Sequence, residues 1–278
     1  MAHYNTTMYL VVLLLGVILG SFINAFVWRL HLKNKKNTGN VVNISILTGR
    51  SMCPNCKHQL SAFDLVPIFS WLYLRGKCKY CHKTISVEYP IIEALTGLLF
   101  FLSYKYWPLT FNSWGDLLII IWFTMLIFFI SLALYDLKYK ILPNNLVYIV
   151  LFLTLVFEVI DYINYNHTFS FILSRLLGLV FSSGIFYVIF QLSNGRWIVG
   201  GDIKLCLSLG LLLGGPLEAI LMIFIASVTG CLIYLLLIIF GKYKTDMTIA
   251  FGPLLITGTY ICFFFGPQII NWYSTIIG

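Results

Sequence analysis

Long apolar runs alternate with short polar breaks along this chain, and the alternation predicts its architecture. Eight runs stand out: Met8–Trp28, Pro90–Trp107, Leu117–Tyr135, Leu146–Ile163, Phe171–Leu192, Ile203–Leu213, Leu217–Phe240 and Ile249–Trp272. Most approach the roughly 20 residues a helix needs to cross a bilayer. Lipid offers no partner for an unpaired backbone group, so helices are expected, and the short alternating segments of a barrel are missing. The sixth run is short, and Gly214-Gly215-Pro216 predicts a tight turn into the seventh. No basic residue precedes the first run, which is also longer than a signal core, so it reads as a retained span. The expected fold is an all-α polytopic membrane protein with about eight transmembrane helices.

Residues 29–89 break the pattern. They are polar and carry cysteines, which divides the chain into a first transmembrane helix (1–28), a small soluble module (29–89) and a membrane-embedded remainder of about seven helices (90–278). The module opens with HLKNKKNTGN, expected to be a flexible connector. No internal repeat is evident.

Composition agrees with a membrane protein: 60% of the residues are hydrophobic and 10% charged, which excludes a soluble domain of this length. The net charge of +8 has a topological reading. With eight spans, 16 of the 18 Lys and Arg fall on one side, and only Lys105 and Arg175 lie on or near the other. The positive-inside rule makes the basic side cytoplasmic and places both termini outside. No nucleic-acid-reading module accompanies these charges, so nucleic acid is not an expected partner, whereas the lipid bilayer is.

Cys53 and Cys56 form one Cys-x-x-Cys pair, and Cys78 and Cys81 another, with 21 residues between the pairs. Two such knuckles supply four thiolates to one tetrahedral metal, which predicts a closed, structural zinc site in a ribbon-like cytoplasmic domain. Redox pairing and a metal-free ribbon are the alternatives, and the reducing cytoplasm argues against disulfides. His58 and His82 lie beside the knuckles as expected surface residues. Cys206, Cys231 and Cys262 fall inside spans and are expected to be buried small hydrophobes.

Ten acidic residues occur in the whole chain, and two sit where lipid begins. Asp136 ends the third span and Asp202 opens the sixth, after Gly200 and Gly201. Two crossings separate them, so parity returns both to one side of the membrane. Two close carboxyl groups share a proton, one acting as base toward water and the other as acid toward the scissile carbonyl, which is aspartyl proteolysis. Gly200 and Gly201 would admit a peptide and permit dihedrals closed to other residues. The plainer reading makes each Asp a solvated helix end beside Lys138 or Lys204. Asn24 is expected to make structural hydrogen bonds, Glu93 to orient a substrate amine or face water, and Asp246 to be a loop carboxylate. Glu158 and Asp161 lie toward the other face.

Six segments, in order, resemble the bacterial type IV prepilin peptidases, a branch of the membrane GxGD aspartyl proteases. They are GSFINAFVWRL, the four-cysteine stretch from SMCPNCKHQL to VPIFSWLYLRGKCKYC, ISVEYPIIE, ALYDLKYKILPN, GGDIKLCLSLG and IAFGPLLITG. The resemblance implies that Asp136 and Asp202 are the catalytic pair and that Cys53, Cys56, Cys78 and Cys81 bind zinc. It implies an endopeptidase of the bacterial cytoplasmic membrane. Such an enzyme cuts the basic leader of prepilins or pseudopilins after a glycine, on the cytoplasmic side, for a pilus, secretion or competence system. It further implies N-methylation of the new amine with S-adenosylmethionine, to which Gly76 corresponds; a turn entering the second knuckle is the other reading of Gly76. The chain departs from the signature at Val199, where GxGD has glycine. A transporter or scaffold with a structural zinc ribbon is the competing reading; it would place polar groups at the midplane and in repeats, not at one edge.

Overall fold

A computed structural model describes residues 6–36, 51–53, 55–61, 63–111, 113–165, 167–242 and 248–277. Nine helices are present among them: α1 (Thr6–Lys36), α2 (Phe69–Tyr73), α3 (Glu88–Lys105), α4 (Ser113–Tyr139), α5 (Asn144–Asn164), α6 (Phe169–Leu192), α7 (Gly200–Leu212), α8 (Pro216–Ile239) and α9 (Gly252–Ile277). A 3-10 turn spans Phe63–Leu65, and two isolated bridges, Met52 with Gln59 and Lys77 with Thr84, are the only strand-like pairings in the described residues. Each apolar run of the sequence is one long helix. Six of the eight are long and apolar enough to cross a membrane; α3 and α7 are not. Charges at Glu88, Glu93 and Lys105 disqualify α3, and the 13 residues of α7 reach only about 20 Å.

Turn chemistry sets the joints. Pro143 caps α5 with φ −66°, and Pro216 opens α8 two residues after Gly214, whose φ of +98° a side chain would resist. α1 continues through Lys36, so the first six residues of the expected connector are helical. Helix-favouring lysines and the absence of Gly or Pro before Gly39 explain the extension.

The chain forms two compact units, Met1–Trp107 and Pro108–Gly278. In the first, α1 and α3 run antiparallel with their backbones nearly touching. A Cβ on Gly16 would lie 2.8 Å from Gly97 Cα, and one on Gly20 2.8 Å from Glu93 Cα. Small residues bring membrane helices this close because packing, not water release, drives their association. Asn24 Nδ2 donates to the carbonyls of Gly20 (3.3 Å) and Tyr89 (3.4 Å), the structural role expected for it. Glu93 departs from expectation: it is buried, and its Oε2 accepts the backbone N–H of Ile68 at 2.7 Å.

In the second unit, α7 is enclosed by α5, α6, α8 and α9, and Leu205, Cys206 and Leu209 are fully buried. Its closest partner is α6, through Gly178, Ser182 and Gly210: Ser182 Oγ donates to Cys206 O at 2.7 Å. A Cβ on Gly210 would overlap Ser182 Oγ and sit 2.6 Å from Gly178 O. Trp122 stacks on Phe263 at 4.1 Å and joins α4 to α9. At the far ends of α5 and α6, Arg175 pairs with Glu158 (2.8 Å) and approaches Asp161 (3.7 Å), both buried, beside a cavity of about 660 Å³. These acids lie at the end of α5 away from Asp136, and the fold buries them as an inter-helix clamp. Cys206 and Cys262 are buried as expected, but Cys231 is exposed, because α8 turns that side outward.

The α6–α7 seam makes one expectation sharp. Gly210→Leu should destabilise the protein by about 1–3 kcal/mol or more through overpacking. Gly184→Leu, on the same α6 but with nothing within 4 Å of its added Cβ, should be near neutral. Thermal unfolding of both variants in detergent checks the contrast.

Candidate active site

Asp136 sits in the last turn of α4 and Asp202 in the first turn of α7, and both are buried. α4 ends because Lys140, at φ +56°, turns left-handed and caps it, its N–H bonding Asp136 O at 2.8 Å. The chain then passes through Leu142 and Pro143 into α5. Asp136 Oδ2 accepts the backbone N–H of Gly252, the first residue of α9, at 3.1 Å. The carboxylate thus meets the positive end of a helix, which favours its charge. A side chain there would crowd the carboxylate: a Cβ on Gly252 would lie 2.9 Å from Asp136 Oδ2 and 3.4 Å from Leu142 Cδ2.

Leu142 links the two aspartates. It fills the space between Gly252 and Gly201, whose added Cβ would meet Leu142 Cβ at 3.0 Å. Asp202 follows Gly201 directly, so Leu142 stands between the neighbours of both carboxyl groups. Carboxyl groups 66 positions apart in sequence therefore belong to one cluster at one end of the unit, as parity requires. The neighbouring lysines have other partners besides: Lys204 Nζ donates to Asn144 Oδ1 at 3.0 Å, and Lys140 Nζ donates to Thr248 O.

The glycines before Asp202 do not work through unusual dihedrals. Neither Gly200 nor Gly201 has a positive φ, and both are helical. Gly201 serves close approach to Leu142, whereas a Cβ on Gly200 would meet nothing within 4 Å. Val199 takes an ordinary extended conformation, φ −87° and ψ 141°, and its carbonyl accepts the N–H of Asp202 at 3.0 Å. Glycine is not needed at that position, which explains how the chain departs from GxGD there. Gly252 and Leu142 escaped the sequence reading; the available signals were the Phe-Gly-Pro at 251–253 and an apolar residue before Pro143. Asp246 lies outside the described residues.

The four cysteines also converge. The Sγ atoms of Cys53, Cys56, Cys78 and Cys81 all lie within 4.8 Å of one another, with Cys53 and Cys81 at 3.9 Å. A tetrahedron of Zn–S bonds near 2.3 Å has sulfur–sulfur edges of about 3.8 Å, so the set fits a metal. The knuckles are built alike. Cys53 N–H bonds His58 O and Cys78 N–H bonds Lys83 O, each at 2.9 Å, and Lys57 (φ 58°) and His82 (φ 56°) make the matching left-handed turns. This is a short internal repeat that the sequence alone does not advertise. Burial raises the Cys53 thiol, but backbone N–H donors of Cys56 and Asn55 outweigh it and bring the group to about 7. At Cys81 the Lys83 N–H pulls down, yet burial and the other thiols win and raise it to about 11. Four thiolates this close need a cation. His58 stacks on Tyr80 at 3.7 Å and is exposed, outside the set. Gly76, at φ +68°, packs on Trp71, where a Cβ would lie 2.9 Å from the ring.

Comparison with known proteins agrees with this arrangement. Residues 14–107 match the bacterial peptidase A24 N-terminal domain, and residues 123–236 match the type IV leader peptidase family. The chain is 30% identical to a prepilin leader peptidase/N-methyltransferase of Pectobacterium carotovorum subsp. carotovorum, covering 88% of each chain. It is 30% identical to the protein of that name in Legionella pneumophila (98% of this chain, 96% of the relative) and in Stutzerimonas stutzeri (94% and 92%). No solved structure matches. With relatives aligned over nearly its full length and two buried aspartates gathered at one end of its helical unit, this multi-pass membrane chain belongs to the type IV leader peptidase family.

Proposed function

We propose that this protein removes the basic leader of prepilin-like substrates with Asp136 and Asp202 as its catalytic pair. The carrying observation is the cluster Asp136–Gly252–Leu142–Gly201–Asp202, which joins two buried carboxyl groups from distant parts of the chain. Two such groups cannot both ionise cheaply, so one proton is shared between them. The ionised partner takes a proton from the attacking water, and the protonated partner donates to the scissile carbonyl or leaving amine. The Gly252 N–H and the α9 N-terminus favour charge at Asp136, which supports Asp136 as the ionised member before attack. Open space beside Gly200 leaves room for an extended peptide at Asp202. A substrate glycine before the cut eases the local unwinding that exposes its amide.

The basic loops favour the cytoplasmic face of the bacterial membrane for this site, with both termini outside. Cys53, Cys56, Cys78 and Cys81 would hold structural zinc, which leaves no open position for a reactive water. The names of the relatives support a second activity, methylation of the new N-terminal amine with S-adenosylmethionine. Gly76 is accounted for by its left-handed φ and its packing on Trp71, and the described residues offer no glycine-rich cradle for that cofactor.

Asp136→Asn and Asp202→Asn should each lower leader cleavage by roughly 10²–10⁴-fold while leaving zinc content unchanged. Cleavage of a purified prepilin by either variant at the wild-type rate would remove that residue from catalysis. Gly252→Val, which displaces the Asp136 carboxylate, should cost about 10²-fold in rate. Gly200→Val should slow cleavage with no change in unfolding temperature, since nothing in the protein meets its side chain. Metal analysis should find one zinc per chain, lost in Cys78→Ser. That variant should unfold at lower temperature, whereas Asp202→Asn should not.

A further inference from the structure

The segment between the two knuckles carries an apolar face that no described residue covers. Phe63 and Tyr73 are each 87% exposed and Phe69 72%, with Val66 and Leu72 exposed beside them. A patch of this kind on a soluble module marks a contact surface. Its position relative to α1 and α3 tells which contact.

Ile68, at the centre of the segment, is tied by its N–H to buried Glu93 of α3, and Glu93 packs on Gly20 of α1. Gly20 of the spanning α1, on which Glu93 packs, is 14 residues from Thr6 at the helix start, with the Lys105 end of antiparallel α3 beside it. At 1.5 Å per residue this is about 21 Å. The hydrocarbon core of a bilayer is about 30 Å thick. With those helix ends at one face, the other face lies about 10 Å beyond Glu93, near Trp28 and Arg29. Tilting the helices brings Glu93 deeper. Ile68 is therefore at hydrocarbon depth. Its φ of +61° is strained for a β-branched residue, a conformation that persists only where the surroundings enforce it. The Glu93 carboxylate satisfies the Ile68 N–H, which lipid could not do.

The polar groups of the module fit the same placement. Asp64 turns back to the knuckles, accepting from Ser61 N (3.1 Å), Ser61 Oγ (2.8 Å) and Tyr80 OH (3.1 Å). Exposed Arg75, Lys77, Lys79 and Lys83 surround the second knuckle and complement anionic headgroups.

We propose that residues 63–73 form a lipid-inserted wedge: Phe63, Val66, Phe69, Leu72 and Tyr73 lie among the acyl chains of the leaflet at the basic end of α1, and the cysteine module rests on the headgroups. The occupant of the patch is the bilayer itself. The module is thus a peripheral membrane element held by the α1–α3 pair, not a domain free in the aqueous phase.

The full-length protein in lipid nanodiscs tests this, with an environment-sensitive fluorescent amino acid at Phe69, at Phe63, or at exposed Lys57 beside the first knuckle. Lipids brominated on the acyl chains should quench the Phe69 and Phe63 reporters at least twofold, with blue-shifted emission. Aqueous iodide should quench the Lys57 reporter and leave these two nearly untouched. Metal content identifies folded variants, and the Phe63 reporter carries the measurement if labelling at Phe69 disrupts the module. Iodide access at 63 and 69 without bromolipid quenching would overturn the proposal. So would protection that arises only when a prepilin peptide is added, since the patch would then be a protein-docking surface.

Discussion

A helix of 13 residues cannot cross a bilayer alone, and the second unit is organised around that constraint. α7 exists because four other helices enclose it and keep lipid from its ends. Enclosure requires close approach, which Gly178 and Gly210 provide on the α6 side by offering bare backbone where a side chain would collide. The same enclosure carries the first turn of α7, and Asp202 with it, inside the unit. Asp202 is buried there, as Asp136 is at the end of the much longer α4. Burial is what makes a neighbouring carboxyl group chemically consequential, because repulsion between the two is no longer screened by solvent.

Acidic residues are scarce, and several of the buried ones have dedicated partners. Asp136 has the Gly252 N–H, Glu93 the Ile68 N–H, and Glu158 and Asp161 have Arg175. Two of these pairings use backbone donors at places where the chain is forced close, so the carboxylate holds two elements together while it is itself stabilised. The Arg175 cluster does the same for the ends of α5 and α6, opposite the aspartate pair. Asp202 is buried as well, and Leu142 packs between the glycine before it and the Gly252 that donates to Asp136.

The cysteine module shows the same economy. Two knuckles with matched left-handed turns bring four thiols within 4.8 Å, and Trp71 closes the loop between them by packing on Gly76 and bonding Ile85 O at 3.2 Å. With Trp71 turned inward, the remaining apolar residues of that loop face outward. A small module cannot bury everything it carries.

Much of this was legible in the sequence. The apolar runs gave eight helices close to their ends, save α1, which continues eight residues past Trp28, since lipid leaves the backbone no alternative to internal hydrogen bonds. The Cys-x-x-Cys spacing gave the thiol cluster, and the two spans between Asp136 and Asp202 put both aspartates at one end by parity. Pro143 and Gly214-Gly215-Pro216 marked their turns. What the sequence could not supply were contacts between residues far apart in the chain. Nothing in the composition of IAFGPLLITG says that Gly252 gives its N–H to Asp136, or that Leu142 fills the space between Gly252 and Gly201. Gly200 and Gly201, expected to admit a peptide and to supply dihedral freedom, have ordinary helical dihedrals, and the contact of Gly201 with Leu142 is a tertiary one. Glu93 read as an acid that orients a substrate amine or faces water because its donor, the N–H of Ile68, lies 25 residues away and in a conformation no local rule predicts. Local chemistry determined the helices, turns and the thiol cluster; packing decided which backbone groups and side chains met, because close approach depends on the shapes of both partners at once.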